Sequence, residues 1–259
     1  GRGEDCRNLN ETTVNVRDLT LSYPLGVAID EKTNTLYFTD YGSHRIRKIN
    51  LATSPTISQN VAGTGVNLPL IDNTDAQLAT LNLPTSISID HLQQVIYVVD
   101  STNFRIRKLN LTSNVISSVA GNVRNEIRDN GFATAAYLNS PYGVAVDRKG
   151  KRIFFSDLGN LCIRYVNRVT GIISTLKVLF NGSNYVSTFT SVFGICIFDN
   201  ELYFAETSTK SIIIVNLDTF VGRYYFTSPL LEDPNSLAVS SSKIFISDSG
   251  DSTLCVWVI

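Results

Sequence analysis

Methionine is absent from all 259 residues, the initiator included, so the chain is expected to be a processed product or a piece of a longer protein. Histidine occurs at His44 and His91 alone, each at a turn or loop edge. Two such residues offer no ligand spacing for zinc and no placed base for a nucleophile triad. Cys6, Cys162, Cys196 and Cys255 form no C-x-x-C pair, which excludes a zinc ribbon and a thioredoxin-like redox motif. Cys162 and Cys196 fall inside apolar runs and read as small core residues. A formal net charge of -1 provides no global excess to steer the chain toward nucleic acid or an anionic membrane. No apolar run reaches the roughly 18 residues of a membrane-crossing helix, so no membrane contact is expected of this segment. The opening GRGEDCRNLN is too polar for a signal peptide. A G-x-S-x-G elbow and a phosphate loop are also missing.

What is present is globular, with 43% hydrophobic and 17% charged residues, and it repeats. YFTDYGSHRIRKIN begins at 37 and YVVDSTNFRIRKLN at 97, with further copies at 154 (FFSDLGNLCIRYVN), 203 (YFAETSTKSIIIVN) and 245 (FISDSGDSTLCVW). Each copy carries two aromatic or aliphatic residues, a small residue and then an acid: Asp40, Asp100, Asp157, Glu206 and Asp248. A second line precedes each one: YPLGVAID, LPTSISID, SPYGVAVD, VFGICIF and DPNSLAVS. A fixed period of this size decides the architecture before any other signal.

Alternation supplies the element type. Val27, Ile29, Leu36 and Phe38, and again Val95, Tyr97 and Val99, recur at period two between turn clusters such as Glu31–Asn34. A third run follows each acid, and a fourth is visible in ISQNVAG and VISSVAG. Four short strands per unit, with no stretch of helical periodicity, predict one antiparallel sheet per repeat. Such sheets arranged radially make an all-β propeller.

The set Pro-x-Gly-Val-Ala-(Ile/Val)-Asp, Tyr-Phe-Thr-Asp, Asn/Ser-x-Arg-Ile-Arg-Lys and Val-Ala-Gly closely resembles the NHL repeat. The stretches Asp75–Leu81 and Ala133–Leu138, leading into Pro84 and Pro141, are similar to that family's loop between blades. The resemblance covers roughly residues 20–259 and is strongest in the first three copies. The fourth has Val192 for the proline and Glu206 for Asp, with Ser211 and Ile213 where the basic pair stood; the fifth has Thr253 and Cys255. The resemblance implies a propeller of NHL-like four-stranded blades, five of them recognisable. It brings three functional expectations: an interaction module or scaffold that binds a protein or other ligand through loops on one face, a propeller hydrolase or lyase with a divalent ion in its channel, and a single-stranded RNA binder. The first is preferred, without catalysis and without a resident cofactor. The histidines of the family's zinc-holding amidating lyase have no counterpart here.

Each candidate site has a structural reading beside its functional one. The five acids at the strand ends could converge as catalytic carboxylates. A residue present in every unit, however, is better explained by a turn whose downstream backbone it holds. Arg45, Arg47, Arg105 and Arg107, with Lys48 and Lys108, could form a basic stripe for phosphate or another ligand. They could equally flank buried Ile46 and Ile106 and pair with acids on neighbouring strands, and the near-neutral charge favours that. Asp30, Asp90 and Asp147 are the alternative metal set, for calcium, and they too recur once per unit. Sequons at Asn10, Asn110 and Asn181 lean toward an extracellular setting, although a chain this rich in Asn, Ser and Thr produces several by chance.

The fifth unit ends at its third strand, whereas Thr12–Val16 is a β-branched run upstream of the first unit. Residues 1–19 are therefore expected to supply the closing strand of the last blade, with the propeller spanning 20–259. This makes a five-bladed closed ring, with a six-bladed or truncated ring as the alternative. Such a ring would bring Cys6 and Cys255 close together.

Overall fold

A computed structural model describes residues 13–16, 18–54, 56–67, 70–122, 129–147, 149–180, 182, 184–249 and 255–258, and the chain divides into two compact units, Gly1–Val123 and Arg124–Ile259. The first unit holds β1 (Thr13–Asn15), β2 (Pro24–Asp30), β3 (Thr35–Asp40), β4 (Arg45–Asn50), β5 (Ile57–Ala62), β6 (Thr74–Asp75), β7 (Pro84–Asp90), β8 (Val95–Asp100), β9 (Arg105–Asn110) and β10 (Val115–Ala120). They form two sheets, ordered β1-β5-β4-β3-β2 and β6-β10-β9-β8-β7. Each is the expected four-stranded antiparallel meander with one short strand added outside the fourth.

The second unit holds β11 (Pro141–Val146), β12 (Arg152–Asp157), β13 (Cys162–Asn167), β14 (Ile173–Thr175), β15 (Val178–Phe180), β16 (Asn184–Val186), β17 (Ile195–Phe198), β18 (Glu201–Glu206), β19 (Ser211–Asn216), β20 (Val221–Thr227), β21 (Pro234–Val239), β22 (Ile244–Asp248) and β23 (Cys255–Val258). Its sheets run β11-β12-β13-β14, β16-β15-β20-β19-β18-β17 and β21-β22-β23. The third and fourth sheets repeat the meander, and the fourth is extended by β15, parallel to β20, and by β16. The fifth has three strands among the described residues.

Thr13–Asn15 differs from expectation. The run is a strand, but it pairs antiparallel with β5 of its own sheet (Thr13↔Gln59, Asn15↔Ile57) rather than with the last sheet. The reason is a connection used repeatedly: the segment entering a repeat lies along that repeat's outermost strand. Thr74–Asp75 lies along β10 in the same way, and Asn130 and Gly131 bond Ile173 of β14. Alternation marks such a run as a strand without saying which edge it joins.

The cores lie between consecutive sheets of each unit. In the first, Tyr37 and Ile46 of one sheet pack with Ile87, Ile96, Val98 and Leu109 of the next. In the second, Phe154 and Ile163 meet Ile195, Phe204 and Ile213, and Tyr203 and Ile212 meet Leu237 and Ile246. The glycine of the Pro-x-Gly line permits close approach: a Cβ on Gly26 would stand 2.6 Å from the Thr85 carbonyl oxygen, and one on Gly143 would stand 2.4 Å from that of Phe193. The small residue before the acid bridges the same gap. Thr39 Oγ1 accepts from Gly26 N–H and donates to Thr85 O, and Ser156 Oγ does the same between Gly143 and Phe193. One face is bare: Val27 and Ile29 of β2 are 66% and 49% exposed, whereas their counterparts Ile87 and Ile89 of β7 are 5% and 8% exposed.

Candidate functional site

The acids ending the second strand of each meander are buried, and their bonds run in an unexpected direction. Asp40 Oδ1 accepts from Ser22 N–H at 2.8 Å, Asp100 Oδ1 from Asn82 N–H at 2.7 Å, and Asp157 Oδ1 from Asn139 N–H at 2.7 Å. Glu206 accepts from Thr190 N–H, and Asp248 from Glu232 and Asp233. The donor is therefore the loop leading into the sheet, 15 to 18 residues upstream. The downstream turn reading needs correcting on this point. The single 3₁₀ turns that follow Asp40, Asp100 and Asp157 receive no side-chain cap bond. What reaches the second oxygen from downstream is a side chain: Asn103, Asn160 or Thr209.

In the first three sheets the same oxygen faces a guanidinium seven residues on. Arg47 Nε lies 2.9 Å from Asp40, Arg107 Nη1 3.0 Å from Asp100, and Arg164 Nη1 3.6 Å from Asp157. Strand pairing explains the spacing. The acid closes one strand and the arginine is the third residue of the next, so both lie on one face of an antiparallel pair. Arg107 and Arg164 each reach a second acid in the loop before the repeat: Asp72 at 3.4 Å and Asp129 at 2.8 Å. Burial pushes the Asp100 and Asp157 carboxyls up, and the guanidinium, backbone and asparagine bonds pull the other way.

This arrangement corrects the basic-stripe reading. Arg47 and Arg107 are 3% and 0% exposed, and Arg45, 6% exposed, donates Nη2 to Thr64 O. Arg105 alone of the four is half-buried. Arg164, Asp72 and Asp129 belong to the same set without standing out in the sequence. The signal for them was an acid followed seven residues later by arginine in three copies, together with the Asp-Asn pair at 72–73 and 129–130.

Asp30, Asp90 and Asp147 hold the turn after the first strand. Asp30 accepts from Lys32 N–H and Thr33 Oγ1, Asp90 from Leu92 and Gln93 N–H, and Asp147 from Lys151 N–H and Arg152 Nε. Among the described residues no three His, Cys, Asp or Glu side chains come together as a metal site. The Cys162 and Cys196 thiols are free, and burial pushes both up to about 12. Cys6 and the side chain of Cys255 lie outside the described residues, and so do Asn10 and Asn181.

One cleft of about 330 Å³ opens in the first unit. Tyr37, Lys48 and Gln59 are register neighbours across β3, β4 and β5. With Asn60, Gln77 and Asn114 they give it an amide-rich wall around one ammonium group, and Val61 and Leu111 supply its apolar part.

No family model matches the chain. Teneurin-4 of Mus musculus is 27% identical over 237 residues, 84% of this chain and 8% of that protein. NHL repeat-containing protein 2 of Bos taurus is 33% identical over 97 residues, 38% of this chain and 13% of that protein. The chain thus spans only a small part of the length of either curated relative. Among solved structures, a nidogen/laminin complex has a chain that superposes with a TM-score of 0.64 at 16% identity, covering 91% of this chain and 75% of that one. A streptogramin B lyase superposes at 0.58 and 14% identity, covering 93% and 70%. At these identities the structural likeness speaks for the fold alone. With the repeat in five copies, the four-stranded meanders that it builds and these likenesses, the chain is similar to NHL-repeat proteins in sequence and to β-propellers in fold.

Proposed function

We propose that this chain is an interaction module that binds a protein partner through the loops on one face of the propeller, without catalysing a reaction. The observation that carries the reading is how the repeat's charged side chains are used. Asp40–Arg47, Asp100–Arg107 and Asp157–Arg164 are buried within the sheets, and Asp30, Asp90 and Asp147 are engaged by their own turns. Residues that look like chemistry in the sequence are thereby committed to architecture. The likeness to a chain of a nidogen/laminin complex supports a protein as partner, and the likeness to a streptogramin B lyase supports the enzymatic alternative. A two-armed experiment tests the choice. Surface plasmon resonance against laminin and other matrix proteins should give saturable binding. A streptogramin B incubated with the chain and calcium should keep its mass spectrum unchanged, and its conversion would overturn the reading. An RNA gel shift at physiological salt should show no sequence preference.

Ring size and setting belong to the same proposal. A five-bladed closed ring and a six-bladed one differ in whether Val27 and Ile29 are covered by a neighbouring sheet. Thiol labelling of Val27→Cys distinguishes them, protection supporting the five-bladed closure and rapid labelling the larger or open ring. An extracellular setting rests on the sequons alone, and a glycosidase-sensitive mass at Asn110 after expression through a secretory host would support it.

A further inference from the structure

The cleft of the first unit has an internal template in the fourth sheet. There, Tyr203, Ile214 and Arg223 form a register row, and the chain's own Glu201 completes it. Tyr203 OH donates to Glu201 Oε2 at 2.9 Å, and Arg223 donates to the two oxygens at 2.6 and 3.0 Å. Tyr37, Lys48 and Gln59 form the corresponding row in the first sheet. The residue at the Glu201 position, two before the tyrosine, is Thr35. The first sheet thus keeps the phenol, lacks the carboxylate, and carries its cation one strand nearer the phenol, with Lys48 at the Ile214 position and Gln59 at the Arg223 position.

The surroundings of Lys48 match that vacancy. No lining side chain of the cleft is a carboxylate, and Lys48, half-buried, has no ion-pair partner among the described residues. The nearby acids are engaged elsewhere: Asp30 by Thr33, the Lys32 N–H and His91, and Asp75 by Asn114 and the Gln77 N–H. Burial and the Asp30 charge both hold the Tyr37 phenol protonated, so it is available as a donor.

We propose that this cleft binds a small polyhydroxylated carboxylate, an acidic sugar in chemical class. Lys48 and Tyr37 take the carboxylate, and the amides of Gln77 and Asn114 take the hydroxyls. The volume is at the lower end of small-molecule sites, suited to a monosaccharide. The inference goes beyond the protein-binding reading and does not depend on it.

Nuclear magnetic resonance titrations of the isotopically labelled chain test it with four probes: D-glucuronate, D-glucose, N-acetylglutamate amide and N-acetylglutamine amide. Glucuronate should saturate shifts at the amides of Tyr37, Lys48 and Gln59 with an affinity about tenfold tighter than glucose, as one charge-assisted contact provides. Lys48→Gln should lose about tenfold of that affinity with its spectrum otherwise retained. Thr35→Glu, which places a carboxylate at the Glu201 position, should lose it as well. Three results would each overturn the assignment: equal binding of glucose and glucuronate, wild-type affinity in Lys48→Gln, or tighter binding of the glutamate amide, which would point to an acidic side chain.

Discussion

The second and fourth sheets close the same turn with different chemistry. Asp100 has a buried guanidinium, Arg107, seven residues on. Glu206 has Ile213 at that position, fully buried in the apolar core, and its second oxygen takes the Thr209 hydroxyl. Both acids still accept the N–H of the incoming loop, from Asn82 and Thr190 respectively. The shared bond is therefore what the turn requires, and the guanidinium is an addition. Its further work is visible in the second sheet, where Arg107 also binds the Ile71 carbonyl and Asp72 of the preceding loop. The same sheet position can hold a loop by charge or fill a core with apolar volume.

The comparison breaks most sharply at the ion pair. Asp100→Ala leaves Arg107 buried beside a missing partner, and the loss in urea denaturation is expected at about 3–5 kcal/mol, as for other severed buried pairs. Glu206→Gln keeps the shape and an acceptor and strands no cation, so about 1 kcal/mol is expected. Comparable losses in the two sheets would remove the distinction. A smaller effect concerns pH. Burial raises the Asp72 carboxyl, but bonds from Ser118 and the charge of Arg107 outweigh it and hold the group below its ordinary 3.8. A carboxyl depressed in the folded state stabilises above 3.8, and that contribution is lost as pH falls through the folded value. Asp72→Asn should flatten the acid limb of the stability profile. The smallest effect is expected at His44, whose Nδ1 accepts from Leu83 N–H. Burial lowers this group below 6.5 despite the Asp100 charge, so the unfolded chain takes up the proton first. Stability should fall slightly as pH drops below 6.5, and His44→Asn should abolish that slope.

Most of the fold is legible in the sequence because each of its signals is local. Period-two runs, a turn acid per unit and Pro-x-Gly-Val-Ala lines fix four-stranded meanders, and the described strands follow them. What escapes is set by contacts distant in the chain. The repeat predicts that Asp40 holds the backbone downstream of it, whereas its donor, Ser22, arrives from 18 residues earlier. Thr13–Asn15 has strand composition, but the edge that accepts it is β5 rather than the last sheet. The sequence favours pairing of Arg47 and Arg107 with acids on neighbouring strands, but which acid each meets is set by the pairing of β3 with β4 and of β8 with β9. The cleft is least visible of all, since Tyr37, Gln77 and Asn114 come from a strand, a loop and a turn far apart in the chain.

The central claim is that the repeat's charged side chains hold the sheets together rather than meet a ligand. A double-mutant cycle on Asp100→Asn and Arg107→Met, read by urea denaturation, tests it most directly. The account predicts strong coupling, with the double variant more stable than the sum of the single losses implies by about 2 kcal/mol, because removing both partners leaves no stranded charge. Additive losses within about 0.5 kcal/mol would contradict it.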